Sequence, residues 1–283
     1  MPLNTEAIRA YPFVPIEQTL GDTECMLYAL SVGVGRDSLD ADEFPYVFEK
    51  DLQVFPSMPV VLGRPGFWMG TQGLGINPQM LVHGTQRLRV HRPLTVGAPF
   101  VAVNRVLEFV DKGADRGALV VTERTLHDKA TGKLLASMEA GTFCRADGGF
   151  GGPRTPSYEF AAVPDRTPDA LREMPTDANQ ALYYRLNGDR NPLHASLAFA
   201  KKAGFERPIL HGLCTYGIAT HALMQHAGSG STLNAIEARF SSPVFPGETI
   251  RFEIWNKPDG VAFRALVDAR RVVVLDRGLA TLC

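Results

Sequence analysis

Hydrophobic and polar residues alternate along several segments of the chain, with the period of two that is typical of antiparallel strands buried on one face. In TIRFEIW, which begins at Thr249, isoleucine and phenylalanine occupy every second position and charged residues stand between them. Glycine, proline and aspartate separate such segments, which favours hairpins. The pattern predicts strands in PFVAVNRVLEF, ALVVTERTLHD and LLASMEAGTFC, and again in TIRFEIWNK, VAFRALVDAR and RVVVLDRGLA.

Two helical segments lie between these sets of strands. ILHGLCTYGIATHALMQHAG is mainly apolar and predicts a buried helix of about four turns that Gly212 opens. Upstream, LHASLAFAKKAG predicts a shorter helix, which Asn191 caps and Pro192 begins. Gly204 suits the left-handed residue that ends such a helix.

The two sets of strands are preceded by similar sequences. RLRVHRPLTVG comes before the first set and IEARFSSPVFPG before the second, so that Arg89 aligns with Arg239 and Gly97 with Gly247. The chain therefore contains a repeat, and each copy is expected to be a helix wrapped by a curved antiparallel sheet. The helix is less clear in the first copy, where glycine and proline interrupt MPVVLGRPGFWMG.

A glycine- and proline-rich segment, RADGGFGGPRTPS, separates the copies and cannot sustain a helix or a central strand. We expect it to be a linker over residues 145–157, between domains at 1–147 and 155–283. The second domain carries the candidate chemistry. The first completes a pseudo-dimer within the chain and makes room for a bulky ligand.

Composition and charge exclude several classes of function. The 283 residues include 29 basic and 30 acidic side chains, so no strong field draws the protein to nucleic acid or to an anionic membrane. The four cysteines form no CxxC pair, which favours free thiols in a reducing compartment. No apolar run has the length of a signal peptide core or a membrane span. These features favour a cytoplasmic protein without a bound metal.

One polar loop concentrates the candidate chemistry. YRLNGDRNPLH, residues 184–194, holds Asp189, Asn191 and His194 close together. These residues are compatible with the ordinary turn and capping residues at the start of a helix, or with a site that binds one water molecule. Asp189 and Asn191 are expected to alternate along an extended strand end, with His194 in the first helical turn, so that all three side chains converge.

The predicted start of the long helix adds a second component to this site. The backbone N–H groups of a first helical turn lack intrahelical partners, and Gly212 has no side chain to block an approaching acyl oxygen. Groups that hold water, together with a donor for a developing oxyanion, are what the addition of water to a conjugated C=C bond requires.

These motifs resemble a known family. YRLNGDRNPLH and the downstream AGFERPILHGLCTYG are similar to the signature of the MaoC-like, or hydratase 2, (R)-specific enoyl-CoA hydratases. In the first half, MLYALSVGVG, HGTQRLRVHRPLTVG and GGFGGPR resemble the double hot-dog hydratase region of peroxisomal multifunctional enzymes of type 2. The resemblance implies an α+β fold, a tandem hot-dog, and reversible hydration of trans-2-enoyl-CoA to (R)-3-hydroxyacyl-CoA in fatty acid β-oxidation.

The resemblance also implies roles for individual residues. Asp189 and His194 would form the catalytic pair, Asn191 would help to hold the water, and the N–H of Gly212 would face the thioester oxygen. The sequence departs from the family at Asn187, where a small hydroxyl residue is usual, which puts the hydrogen bonding of the loop in doubt.

Other roles stay open at this point. Coenzyme A is part of the substrate and no further cofactor is expected; its phosphates could contact Lys201, Lys202 or Arg207, all of which could equally be solvated. His211 could line the site or pack beside it. A hot-dog acyl-CoA thioesterase and a non-catalytic acyl-CoA binding protein are the alternative functions, and further dimerisation of the chain is plausible.

Overall fold

The computed structural model describes residues 2–283. Within them, ten strands form one antiparallel sheet, and every strand predicted from the alternation is present. The strands are β1 (Ile16–Thr19), β2 (Leu81–Val90), β3 (Pro99–Gly113), β4 (Gly117–Asp128), β5 (Leu134–Cys144), β6 (Ala170–Pro175), β7 (Leu233–Phe240), β8 (Thr249–Lys257), β9 (Gly260–Val267) and β10 (Val272–Leu282). Their order in the sheet is β1-β3-β4-β5-β2-β7-β10-β9-β8-β6.

The sequence repeat appears in the structure as a twofold relation at the middle of the sheet. The alignment that places Arg89 on Arg239 also places Arg87 on Glu237, and these two residues face each other where β2 pairs with β7. A residue that pairs with its own repeat equivalent lies on the pseudo-twofold axis. Each half then contributes five strands, which confirms the tandem hot-dog.

Five short or medium helices accompany the sheet in the described chain. They are α1 (Thr5–Arg9), α2 (Asp22–Ser31), α3 (Gln180–Tyr184), α4 (Leu197–Lys202) and α5 (Gly212–Ala227). Helix α5 begins at Gly212 as predicted, and its residues from Leu213 to Leu223 are all buried. None of the helices in residues 2–283 is both long and apolar enough to span a membrane.

The described part of the first half has no long central helix, which differs from the prediction. A single 3-10 turn, Met58–Val61, lies against α5 and β5 instead. The turn cannot continue as a helix because Gly63 has a positive φ of 59° and a Cβ there would lie 2.2 Å from the Cβ of Ala102 on β3.

The short helix predicted for LHASLAFAKKAG is also interrupted. A 3-10 turn, Pro192–His194, is followed by extended backbone at Ser196, and only then does α4 begin. The hydroxyl of Ser196 accepts a hydrogen bond from the N–H of Phe199 at 3.3 Å and so caps a separate helix. Asn191 caps the 3-10 turn rather than a continuous helix.

Helix α5 packs closely against the first half, and this contact gives a stability prediction. A Cβ at Gly217 would lie 2.4 Å from Cγ1 of Val32 and 3.1 Å from the hydroxyl of Tyr28. We expect Gly217→Ala to lower the free energy of unfolding by about 1–3 kcal/mol, since overpacking outweighs the ~1 kcal/mol that alanine contributes in a helix. Urea denaturation checks this. The double variant with Val32→Ala should recover part of the loss, and unchanged stability of Gly217→Ala would contradict the packing described.

Candidate active site

The loop between α3 and α4 carries Asp189, Asn191 and His194. It is not a strand end, as the sequence suggested: it follows a 3-10 turn and bends at Gly188, whose φ is 101°. The carboxylate of Asp189 accepts the N–H of Asn191 at 3.3 Å, and the side-chain oxygen of Asn191 accepts the N–H of Leu193 at 3.0 Å. These local bonds, rather than strand alternation, fix the loop.

His194 is held in one tautomer by the chain. Its Nδ1 lies 2.9 Å from the carbonyl oxygen of Ile209, so we assign the proton to Nδ1, which donates to this carbonyl. The residue is 8% exposed. Burial lowers the pKa of His194 below its ordinary value. At neutral pH the imidazole is therefore uncharged, and its Nε2 is free to accept a proton.

Asp189 is ionised because of an arginine from the other half of the chain. Burial alone would raise the pKa of this carboxyl group. The charge of Arg64, whose Nη1 lies 3.1 Å from Oδ2 of Asp189, is the largest of the opposing effects; with those of His211 and His194 it lowers the pKa to about 2. The carboxylate is thus a hydrogen-bond acceptor across the whole useful pH range.

His211 lies behind His194 and supports it. The two rings stack with centroids 3.7 Å apart, and Nε2 of His211 lies 3.1 Å from the carbonyl oxygen of Asp189, to which we assign its proton. Burial, followed by the effect of His194, lowers the pKa of His211 to about 3. Since only 1% of His211 is exposed, the structure favours the packing role over the lining role that the sequence left open.

The convergent atoms suit a small ligand. One oxygen of Asp189 and one nitrogen from each of His194 and His211 lie within 4.8 Å of one another. Two hydrogen bonds of ordinary length to one water span roughly 4.6 Å, so a single water can bridge the carboxylate and the imidazole. The same three groups have the spacing of a metal site, but the charge of Arg64 beside Asp189 opposes a cation; a metal-free site stays our prediction.

Gly212 supplies a free backbone donor at the start of α5. His211 is the N-cap residue, and the N–H of Gly212 has no hydrogen-bond partner among residues 2–283. A Cβ here would lie 3.2 Å from the ring of Phe240. The glycine therefore keeps the helix terminus open to a ligand atom with partial negative charge.

The first half contributes side chains that the sequence reasoning missed. Arg64 follows the Met58–Val61 turn, and the preceding Gly63 is fixed by Gln18 and Asn104, at 3.1 and 3.2 Å. The ring of His83 on β2 packs against that of Phe240 in a tilted arrangement, with centroids 4.7 Å apart. The sequence signal that could have identified Arg64 was its position between a glycine and a proline in an otherwise apolar stretch.

The first half carries no loop of this kind: between α2 and β2, where a counterpart is expected, VGVGRDSLDADEF has acidic residues but no histidine. Glu43 of this segment is buried and hydrogen-bonds to His221 of α5. The carboxylate therefore ties the two halves together.

The remaining predicted residues lie on the segment between His194 and His211 or just before Asp189. Lys201 and Lys202 are exposed at the end of α4, and Arg207 stacks over the ring of Phe245 at 4.8 Å. Asn187 resolves the doubt about loop bonding, because its amide donates to the hydroxyl of Ser31 and to the carbonyl of Tyr184, both at 2.9 Å. The unusual residue anchors the loop to the first half.

Comparison with known proteins places this geometry in a family. Residues 159–276 match the MaoC like domain, and residues 19–146 match the MFE-2 hydratase 2 N-terminal domain. A 3-hydroxyacyl-thioester dehydratase Y of Mycobacterium tuberculosis is 42% identical over 91% of this chain and 91% of its own. A probable enoyl-CoA hydratase 2 of Dictyostelium discoideum is 35% identical over 100% and 97%.

A solved structure supports the same assignment. The MaoC-like dehydratase from Phytophthora capsici superposes with a TM-score of 0.85 at 31% identity, and the match covers 99% of each chain. Identity, coverage and fold agree along nearly the whole length of the protein. The chain therefore belongs to the MaoC-like hydratase 2 family, in the tandem form whose first half is of the MFE-2 hydratase 2 N-terminal type.

Proposed function

We propose that the protein reversibly hydrates trans-2-enoyl-CoA to (R)-3-hydroxyacyl-CoA. The observation that carries the proposal is the convergence of an ionised Asp189 and a neutral His194 within water-bridging distance. The names of the two relatives support it, since one is a dehydratase of 3-hydroxyacyl thioesters and the other a probable enoyl-CoA hydratase.

In this mechanism His194 is the base. A carboxylate with a pKa of about 2 is a weak proton acceptor, whereas Nε2 of a neutral imidazole is a better one. As the water oxygen bonds to the β-carbon, its proton moves to Nε2 of His194. The electron pair of the C=C bond shifts to the thioester oxygen, which the N–H of Gly212 stabilises. Nε2 then returns the proton to the α-carbon, so that one water is added in total.

Asp189 and Asn191 orient the water in this scheme. The carboxylate accepts one of its hydrogen bonds and stabilises the imidazolium that forms on His194. The side-chain oxygen of Asn191 is already used by the N–H of Leu193, so its amide nitrogen is the group left to donate to the water. Asn191 therefore combines a capping role with a positioning role.

The remaining parts of the proposal concern coenzyme A and assembly. We assign Lys201, Lys202 and Arg207 to the phosphates of coenzyme A, since they are basic, exposed and on the same half as His194. The division into domains at 1–147 and 155–283, the acyl-tail role of the first half, a cytoplasmic location and a homodimer of the chain all stay predictions.

A coupled assay tests the reaction. Purified protein is mixed with crotonyl-CoA or a longer trans-2-enoyl-CoA in the presence of EDTA, and the loss of the conjugated-enoyl absorbance is followed. Separate samples are coupled to (R)-specific and (S)-specific 3-hydroxyacyl-CoA dehydrogenases. We expect signal with the (R)-specific enzyme alone. Release of free thiol in place of hydration would favour the thioesterase alternative, and binding without turnover would favour the non-catalytic one.

The acid limb of the pH profile is expected to depend on Arg64. If His194 must be neutral, kcat/KM falls as the pH drops through the lowered pKa of this histidine. The charge of Arg64 contributes to lowering the pKa of both His194 and Asp189, so Arg64→Met should move the acid limb to higher pH. Arg172→Met, at an exposed edge-strand residue, is the control. An acid limb that stays in place in Arg64→Met would contradict this coupling.

A further inference from the structure

A second arginine lies near the candidate site on the inner face of the first half. Arg124 lies on the same face of β4 as Val120 and Leu126, because side chains an even number of positions apart point to the same side of a strand; both of those side chains are fully buried. Its Nη2 donates to the carbonyl oxygen of Val60, in the Met58–Val61 turn, at 2.7 Å. Arg124 therefore points toward the space that a central helix fills in the other half.

The guanidinium of Arg124 is left with unused donors. Arginine carries five N–H donors, and Nε of Arg124 is buried without any hydrogen-bond partner in residues 2–283. Neither does a carboxylate of these residues form an ion pair with it, although the described chain contains ion pairs for Arg64, Arg87 and Arg105. A buried charged donor without a partner is costly, so a ligand that supplies the acceptor would gain from it.

Arg64 connects this group to the reaction centre. Its guanidinium contacts the carboxylate of Asp189. Burial is the main cause that lowers the pKa of Arg124 to about 9, and the nearby charge of Arg64 lowers it further. Of these two arginines only Arg64 pairs with a carboxylate, so the charge of Arg124 has no negative partner among residues 2–283. Asn104, the cross-strand neighbour of Arg124, lies beside them and is bonded to Gly63.

We infer that the acyl group of the substrate carries a carboxylate beyond the reacting carbons, and that Arg124 binds it. This inference rests on the hydration proposed above. With the double bond between Asp189 and His194, the acyl chain extends past Arg64 onto the inner face of the first half. A purely apolar tail would cover Arg124 and leave its charge unpaired, whereas a carboxylate would accept from its unused N–H groups in a two-pronged geometry.

The test compares pairs of trans-2-enoyl-CoA thioesters that are matched in carbon number, one ending in a methyl group and one in a carboxylate, across a series of chain lengths. We expect the wild-type protein to prefer the carboxylated member at one length by roughly tenfold or more in kcat/KM, as charge-assisted hydrogen bonds provide. Arg124→Met should reverse this preference and Arg124→Lys should retain part of it. Arg116→Met, at an exposed residue of the β3–β4 turn, should keep the preference of the wild type.

The outcomes separate this inference from the function on which it rests. Hydration of crotonyl-CoA without any preference for a carboxylated chain would overturn the inference and leave the proposed function standing. Failure with every enoyl thioester would overturn both. If Arg124→Met does not fold, the preference of the wild type still decides, and calorimetric binding of saturated acyl-CoA pairs, one with a terminal carboxylate, provides a readout without turnover.

Discussion

Replacing His194 by glutamine is expected to lower kcat for enoyl-CoA hydration by about 10²–10⁴-fold, the usual contribution of a single acid or base. The glutamine amide can still donate to the carbonyl of Ile209, which His194 contacts at 2.9 Å, so the loop keeps its anchor. It offers no basic nitrogen to the water. The measurement is initial rate at saturating substrate, together with a circular dichroism spectrum that should match the wild type.

The matched control is His226→Gln. His226 is half-buried near the end of α5 and hydrogen-bonds to Asn256 at 2.9 Å, far along the helix from Gly212. It should retain wild-type turnover. Near-normal turnover in folded His194→Gln would remove His194 from the mechanism.

Asp189→Asn is expected to cost at least roughly a hundredfold in kcat. The asparagine keeps an oxygen for the N–H of Asn191, so the turn should survive. It loses the negative charge that orients the water and stabilises the imidazolium on His194. Loss of the charge also leaves Arg64 without its ion-pair partner. Rates are measured beside Asp115→Asn, a change at an exposed turn residue.

Thermal unfolding separates a chemical effect from a structural one. If Asp189→Asn melts at the wild-type temperature and still turns over normally, the assignment of Asp189 fails. If only the Asp189 variant loses activity and His194→Gln does not, the carboxylate is the base and our choice of His194 is wrong.

The strands and the catalytic loop were accessible to sequence reasoning because their signals are local. Alternation within a strand depends on which face is buried, and the loop places Asp189 and His194 five positions apart in the chain. The start of α5 at Gly212 could be predicted for the same reason, since a continuous apolar run follows it in the sequence. The burial pattern of a strand and the short-range spacing of a loop can both be recognised from the sequence alone, before the tertiary fold is known.

Arg64 was not predictable, because its partner Asp189 is 125 residues away and only the fold brings the two together. The missing helix of the first half has a similar origin. Gly63 lies against Ala102 of β3, and this long-range contact rather than helix propensity decides the conformation there. The break at Ser196 was a local feature that the helical pattern concealed, because a serine within an apolar run reads equally well as a helix residue or a cap.

The pairing of Arg87 with Glu237 at the pseudo-twofold axis bears on why the two halves are joined in one chain. In a symmetric dimer of identical subunits, the residue on the axis must face its own copy, so arginine would meet arginine and glutamate would meet glutamate. Like charges directly opposite each other destabilise a sheet. Fusion lets the two copies diverge, and the axis here carries an attractive pair with Nε and Oε2 3.3 Å apart. The same divergence allows Arg64 of the first half to form an ion pair with Asp189 of the second, without a second copy of this pair.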